Sequence, residues 1–172
     1  MSTINLAVIL FSDLNVKKII IENYDEIEPE ILQISERVVV KMDIDYPPNF
    51  ISSLRKVKLC NELRKNYEKQ NQIQYDIIIK TRPDIMYQSV FINQNPDKLF
   101  TPTNQSYGVM SDIFYYSNSD IMDKFCTFYD LLNFYIEKGY HFNPHNLMLR
   151  HLEDLQIPFY KDSRLNLDIL RR

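Results

Sequence analysis

The segment YDIIIKTRPDIMY, residues 75–87, constrains the fold more than any other part of the chain. Ile77, Ile78 and Ile79 form a continuous apolar run, not an alternating one. Such a run predicts a strand covered on both faces, as in the centre of a parallel sheet. It ends abruptly in Lys80, Arg82 and Asp84, and Pro83, which cannot donate to a strand ladder, marks where the chain leaves the sheet. In open α/β sheets, ligands gather at the carboxyl ends of strands. Three charges delivered there suit a phosphorylated ligand. Arg82 offers a planar multi-donor group and Lys80 a point charge. Asp84 offers oxygen to Mg2+ or Mn2+, or accepts hydrogen bonds from sugar hydroxyls. The plainer alternative is an Arg82–Asp84 salt bridge at a strand end.

A chain of 172 residues is long enough to bury a real core, and the expectation is one domain over residues 1–172. The net charge of −3 argues against a nucleic-acid footprint. No apolar run is long enough to span a bilayer. The first fifteen residues have an apolar centre but no basic flank, so they read as a first strand and not a signal peptide. A cytoplasmic location is expected. Cys60 and Cys126 lie among apolar neighbours with no CxxC pattern, and read as reduced core residues. The 2 glycines, Gly108 and Gly139, exclude the GxGxxG dinucleotide fingerprint, the P-loop and the GxSxG elbow.

The hydrophobic pattern predicts a strand at residues 4–11, a turn at 12–15, a short helix at 16–27, whose isoleucine run also fits a strand, and a second strand at 37–44. Residues 30–35 fit helix and strand alike. Pro47 and Pro48 predict a loop. Residues 52–69 predict a clear helix, with Leu54, Val57, Leu63 and Tyr67 near helical spacing. Strand, helix, strand, helix, strand in this order implies a mostly parallel, Rossmann-like sheet flanked by helices. Further on, short strands are expected at 98–101, 108–116 and 157–160. A helix is expected at 121–138, capped by Ser119 or Asp120 and closed by Gly139. Asn143 and Pro144 cap and open a last helix whose inner face carries Leu147, Met148, His151, Leu152 and Leu155. Residues 164–172 read as a tail docked through its apolar side chains.

Asp112 interrupts an apolar, aromatic segment, so its charge calls for a partner or a ligand, unless it sits in a turn facing water. Lys56 and Lys58 lie near the start of the clear helix, where phosphate is favoured, although a solvated face is the plainer reading. His141, His145 and His151 lack the spacing of a zinc site. His151 is expected in the core, and His145 in the first helical turn is placed to reach an acceptor.

The ordered set RKVKLCNELRKNYE (55–68), YDIIIKTRPDIMY, GVMSDIFYYSNSDIMDKFCTFY (108–129) and NPHNLMLRHLEDLQI (143–157) resembles small GT-A-like glycosyltransferases of large DNA viruses and bacterial surface-polysaccharide clusters. In that group a K/R-x-R-x-D strand end stands where other GT-A enzymes carry DxD. The resemblance covers roughly residues 50–160. It implies a GT-A-like fold and transfer of a sugar from a nucleotide-diphosphate donor to a carbohydrate acceptor, with Mn2+ or Mg2+. Asp84 becomes the metal or donor-sugar ligand, Arg82 and Lys80 the donor-phosphate contacts, and Asp112 the general base toward the acceptor hydroxyl. Two departures stand out. The loop after the first strand, residues 12–15, has neither the Gly nor the Arg usual in the group, leaving Asp13 to meet ribose or base. His145 stands where an acid is common. These departures, with 12 tyrosines of the kind interfaces favour, support an alternative: a non-catalytic binding or assembly subunit. A nucleotidyltransferase would need Asp112 as a second acid beside Asp84. Homo-oligomerisation is left open by the sequence.

Overall fold

A computed structural model describes residues 20, 22–38, 47–82, 84–103 and 110–170. The predicted strand at 4–11, Asp13 and residues 39–44 of the second predicted strand lie outside the described residues, while Arg37 and Val38 form a turn and bend after the first described helix.

The first described helix, α1, spans Tyr24–Ser35, capped by Asn23, whose side chain accepts from the Asp25 amide. The helix begins where the predicted one was to end and absorbs the ambiguous residues 30–35. Ile31, fully buried, supplies the anchor that local pattern did not reveal. Helix α2 spans Pro47–Asn71, so the two prolines predicted as a loop open the helix instead. Proline's fixed φ and missing N–H suit a first turn. Gln72, at φ 54, ends it in the left-handed region, and the Ile73 amide closes back on the Glu68 carbonyl at 3.1 Å. Phe50, Ile51 and Leu54 bury the first half of α2, while its second half is mostly exposed apart from Arg64 and Glu68.

Strand β1 (Ile78–Lys80) leads through a corner into β2 (Ile85–Ser89). Strands β3 (Leu99–Pro102) and β4 (Tyr115–Ser117) follow, then α3 (Ser119–Phe125), a 3-10 segment (Cys126–Leu131), α4 (Leu132–Glu137) and α5 (Pro144–Asp154). Strands β5 (Phe159–Asp162) and β6 (Asn166–Ile169) come last. The architecture is mixed α/β. One sheet has the order β1-β4-β3-β5, and β2 pairs with β6 in a separate ribbon. Only β3 and β5 run parallel among the described strands; β1–β4, β3–β4 and β2–β6 are antiparallel. The mostly parallel sheet expected from the sequence is therefore not what the described strands form.

β1 itself departs from expectation. Among the described strands it lies at the sheet edge, and Ile79 is 48% exposed, so the isoleucine run is not covered on both faces. The tail predicted at 164–172 is in part strand β6, with Leu165 and Leu167 buried and the Leu170 amide bonded to the Asp84 carbonyl at 2.8 Å.

Two apolar cores result. One joins α1, α2 and the later helices to Leu99 and Tyr115. The other fills the space between sheet and ribbon with Ile85, Phe100, Phe114, Tyr116 and Leu167. No helix among the described residues is long and apolar enough to cross a membrane.

Candidate functional site

A cleft of about 590 Å³ opens between the surface half of α2 and strand β1. Lys56, Cys60 and Arg64 line it from the helix, and Tyr75, Lys80 and Arg82 from the strand side. Two of the strand-end charges expected to meet, Lys80 and Arg82, do share this cleft. Lys56 joins them from across it.

Lys80 is paired in register with Tyr115. Its ammonium donates to the Asp112 backbone carbonyl and lies 5.2 Å from the centre of the Tyr115 ring. Burial pushes its pKa down to about 8, against an opposing pull from the Asp112 carboxylate. Asp112 sits in the bend before β4, half-buried. It meets Lys80 through its main chain, and its charge also favours the charged form of Arg82. Its side chain is not part of the cleft lining.

Arg82 and Asp84 face each other across the corner between β1 and β2. Arg82 Nε and Nη2 donate to the two Asp84 oxygens at 2.9 and 2.6 Å. This two-bond pair holds the Asp84 carboxyl below its usual range and raises the guanidinium. The strand-end salt bridge weighed from sequence is thus present, and Asp84 lies outside the cleft lining. With both oxygens engaged, Asp84 as arranged offers a divalent ion no free oxygen pair. Among the described residues, no group of three or more His, Cys, Asp or Glu side chains is placed to hold a metal.

His145 does not join the cleft. Its Nδ1 lies 2.5 Å from the Met110 carbonyl, in the first turn of α5. Cys126 is buried, while Cys60, expected in the core, is surface-exposed and lines the cleft. Burial raises both thiols, Cys126 to about 12.

Arg64 lies off the apolar stripe of α2, yet its side chain is only 11% exposed. It donates to Glu68 at 2.6 Å, to Ser119 Oγ at 3.0 Å and to Asn61 Oδ1, and it pairs with Asp123. Glu68 in turn accepts from the Tyr75 amide at 2.9 Å, and Ser119 Oγ donates to the Tyr75 carbonyl at 2.8 Å. The network ties α2 to α3 and fixes the chain as it enters β1. The i,i+4 pairing of Arg64 with Glu68 was the only local sign of it.

A second hollow of about 390 Å³ is lined by Asp76, Asp97 and Asp120 with Gln and Asn side chains. It contains no Lys or Arg, so it repels phosphate, and none of the predicted site residues reaches it.

Comparison with protein-family models, with curated proteins and with solved structures finds no match for this chain.

Proposed function

We propose that the protein binds a nucleotide-diphosphate sugar in the cleft between α2 and β1 and transfers the sugar to a carbohydrate acceptor, as a GT-A-like glycosyltransferase. One observation carries this reading: Lys56, Lys80 and Arg82 converge on a single cleft. These three cations, beside an Arg64 already engaged by Glu68 and Asp123, match the charge of a diphosphate, with Arg suited to forked and Lys to point contacts. Asp112, coupled electrostatically to Lys80 and Arg82, takes the role of base toward the acceptor hydroxyl. Mn2+ or Mg2+ belongs to the proposal through Asp84, in exchange for its Arg82 partner.

Titration calorimetry with uridine and guanosine diphosphate sugars tests it, with Mn2+ and with EDTA. Binding is expected, and Arg82→Ala or Lys56→Ala should weaken it by roughly tenfold, about 1.4 kcal/mol. Lys80 loses its charge as pH rises through about 8. Affinity should therefore fall between pH 7 and 9 in the native protein and hold steady in Lys80→Arg. No binding of any nucleotide diphosphate would end this reading.

A second reading, a non-catalytic binding or assembly subunit, is favoured by the closed Arg82–Asp84 pair and by the exposed Met86, Tyr87, Val90 and Phe91. It predicts no thermal shift with any nucleotide diphosphate, and neither donor hydrolysis nor transfer.

A further inference from the structure

Lys80 occupies a position that charge neutralisation alone does not require. A lysine serving only as a counter-ion works best as a hydrated ammonium. The Lys80 side chain is instead half-buried, in a cleft whose lining also includes Ile78, Met122 and Cys126. Its one hydrogen-bond acceptor among the described residues is the neutral Asp112 carbonyl, and it lies above the Tyr115 ring. No carboxylate forms an ion pair with it among the described residues, whereas Arg82 on the next outward turn has Asp84. A desolvated amine without an anionic partner favours its neutral form, which is the nucleophilic one.

We propose that Lys80 is an imine-forming amine that captures the aldehyde or ketone carbonyl of a phosphate-bearing ligand held in the cleft by Lys56 and Arg82. The inference rests on the phosphate-binding reading of the cleft and goes beyond it. The Nζ lone pair adds to the carbonyl carbon and gives a carbinolamine. The two amine hydrogens then leave with the carbonyl oxygen as water, and a C=N bond forms. No oxidant or reductant is consumed. The hydrogen bond to the Asp112 carbonyl holds the amine in one orientation. The charged groups acting on the amine are Asp112 from the bend before β4 and Arg82 and Asp84 from its own corner, and Lys56 and Arg64 line the same cleft from α2.

The test uses the full chain and pyridoxal 5′-phosphate as probe, below stoichiometric amounts, with borohydride to reduce any imine and peptide mapping to locate it. Lys80 is expected to carry most of the label, at least tenfold faster than exposed lysines such as Lys65 or Lys138. The rate should rise to half its maximum near pH 8, where the amine titrates. Pyridoxal without its phosphate should label Lys80 at least tenfold more slowly, as should the native probe after Arg82→Ala. Lys80→Arg, checked for an unchanged melting curve, should remove the fast phase and leave only slow surface labelling. Label spread evenly over exposed lysines, or a fast phase that survives Lys80→Arg, overturns the proposal. Nucleotide binding without fast labelling would sink this inference and spare the transferase reading. Fast labelling without nucleotide binding would do the reverse.

Discussion

His151 shows how one buried polar side chain is made tolerable. It is fully buried, stacked on the Phe128 ring with centroids 4.5 Å apart. Its Nε2 lies 2.9 Å from the Phe125 carbonyl, which can only accept, so Nε2 carries the proton. Nδ1 then accepts from the Tyr135 hydroxyl at 2.8 Å. Burial lowers the imidazole pKa to about 4, from 6.5. The unfolded chain therefore binds the proton first as pH falls. The stability owed to neutral His151 is complete above pH 6.5 and lost as pH falls through about 4, on the order of 3 kcal/mol in all. Urea midpoints should drop more between pH 7 and 4 in the native protein than in His151→Gln. The core position of His151 was readable from its spacing on the last helix; its two partners, on other elements, were not. The burial of Arg64 was hidden for a related reason. Helical position fixes which way a side chain points, but not whether α3 will later cover it. Because Arg64→Met removes a cation shared by Glu68 and Asp123, which keep the Tyr75 amide and Lys65 respectively, it should cost roughly 1–2 kcal/mol. Thermal unfolding checks this.

Elements were legible where local chemistry decides them. Asn143 and Pro144 open α5 as expected, with the Asn143 side chain accepting from the Asn146 amide at 3.2 Å. Gly139, at φ +66, ends α4 as expected. The Tyr140 amide closes on the Tyr135 carbonyl at 3.2 Å. An added Cβ at Gly139 would meet nothing within 4 Å, so Gly139→Ala carries only the left-handed backbone cost, about 1 kcal/mol. A guanidinium titration should show that loss with no change in slope. The helix expected at 121–138 kept its apolar face but not its continuity. It is capped by Asn118, not Ser119 or Asp120, and tightens to a 3-10 segment over Cys126–Leu131. Thr127 Oγ1 bonds back to the Lys124 carbonyl at 2.7 Å there, a local competitor to helical pairing. Strand neighbours were the least legible feature. Nothing in Ile77–Ile79 announces antiparallel pairing to β4, and nothing in residues 166–169 announces a partner at 85–89. Lys80 and Asp112 could each be singled out by the awkwardness of a charge beside apolar residues. Their meeting depends on that same distant pairing.

At the scale of the whole molecule, adjacent residues serve opposite cores. Leu99 and Tyr115 face the helices, while Phe100, Phe114 and Tyr116 face the β2–β6 ribbon. Phe100 stacks on Tyr116 with centroids 4.9 Å apart. Leu99→Ala and Phe100→Ala should each cost about 3 kcal/mol through the cavities they leave. With no tryptophan, tyrosine fluorescence and circular dichroism serve as the two probes, and both variants should unfold in one transition at the same midpoint by either. Separate midpoints would show that the cores melt independently. The alternation along β3 also sets which length changes the strand can absorb. A single-residue insertion would transpose its side chains, carrying each from its own core to the opposite one, whereas a two-residue insertion would restore the original parity. Within this strand, drift in chain length should be tolerated in even steps far more readily than in odd ones.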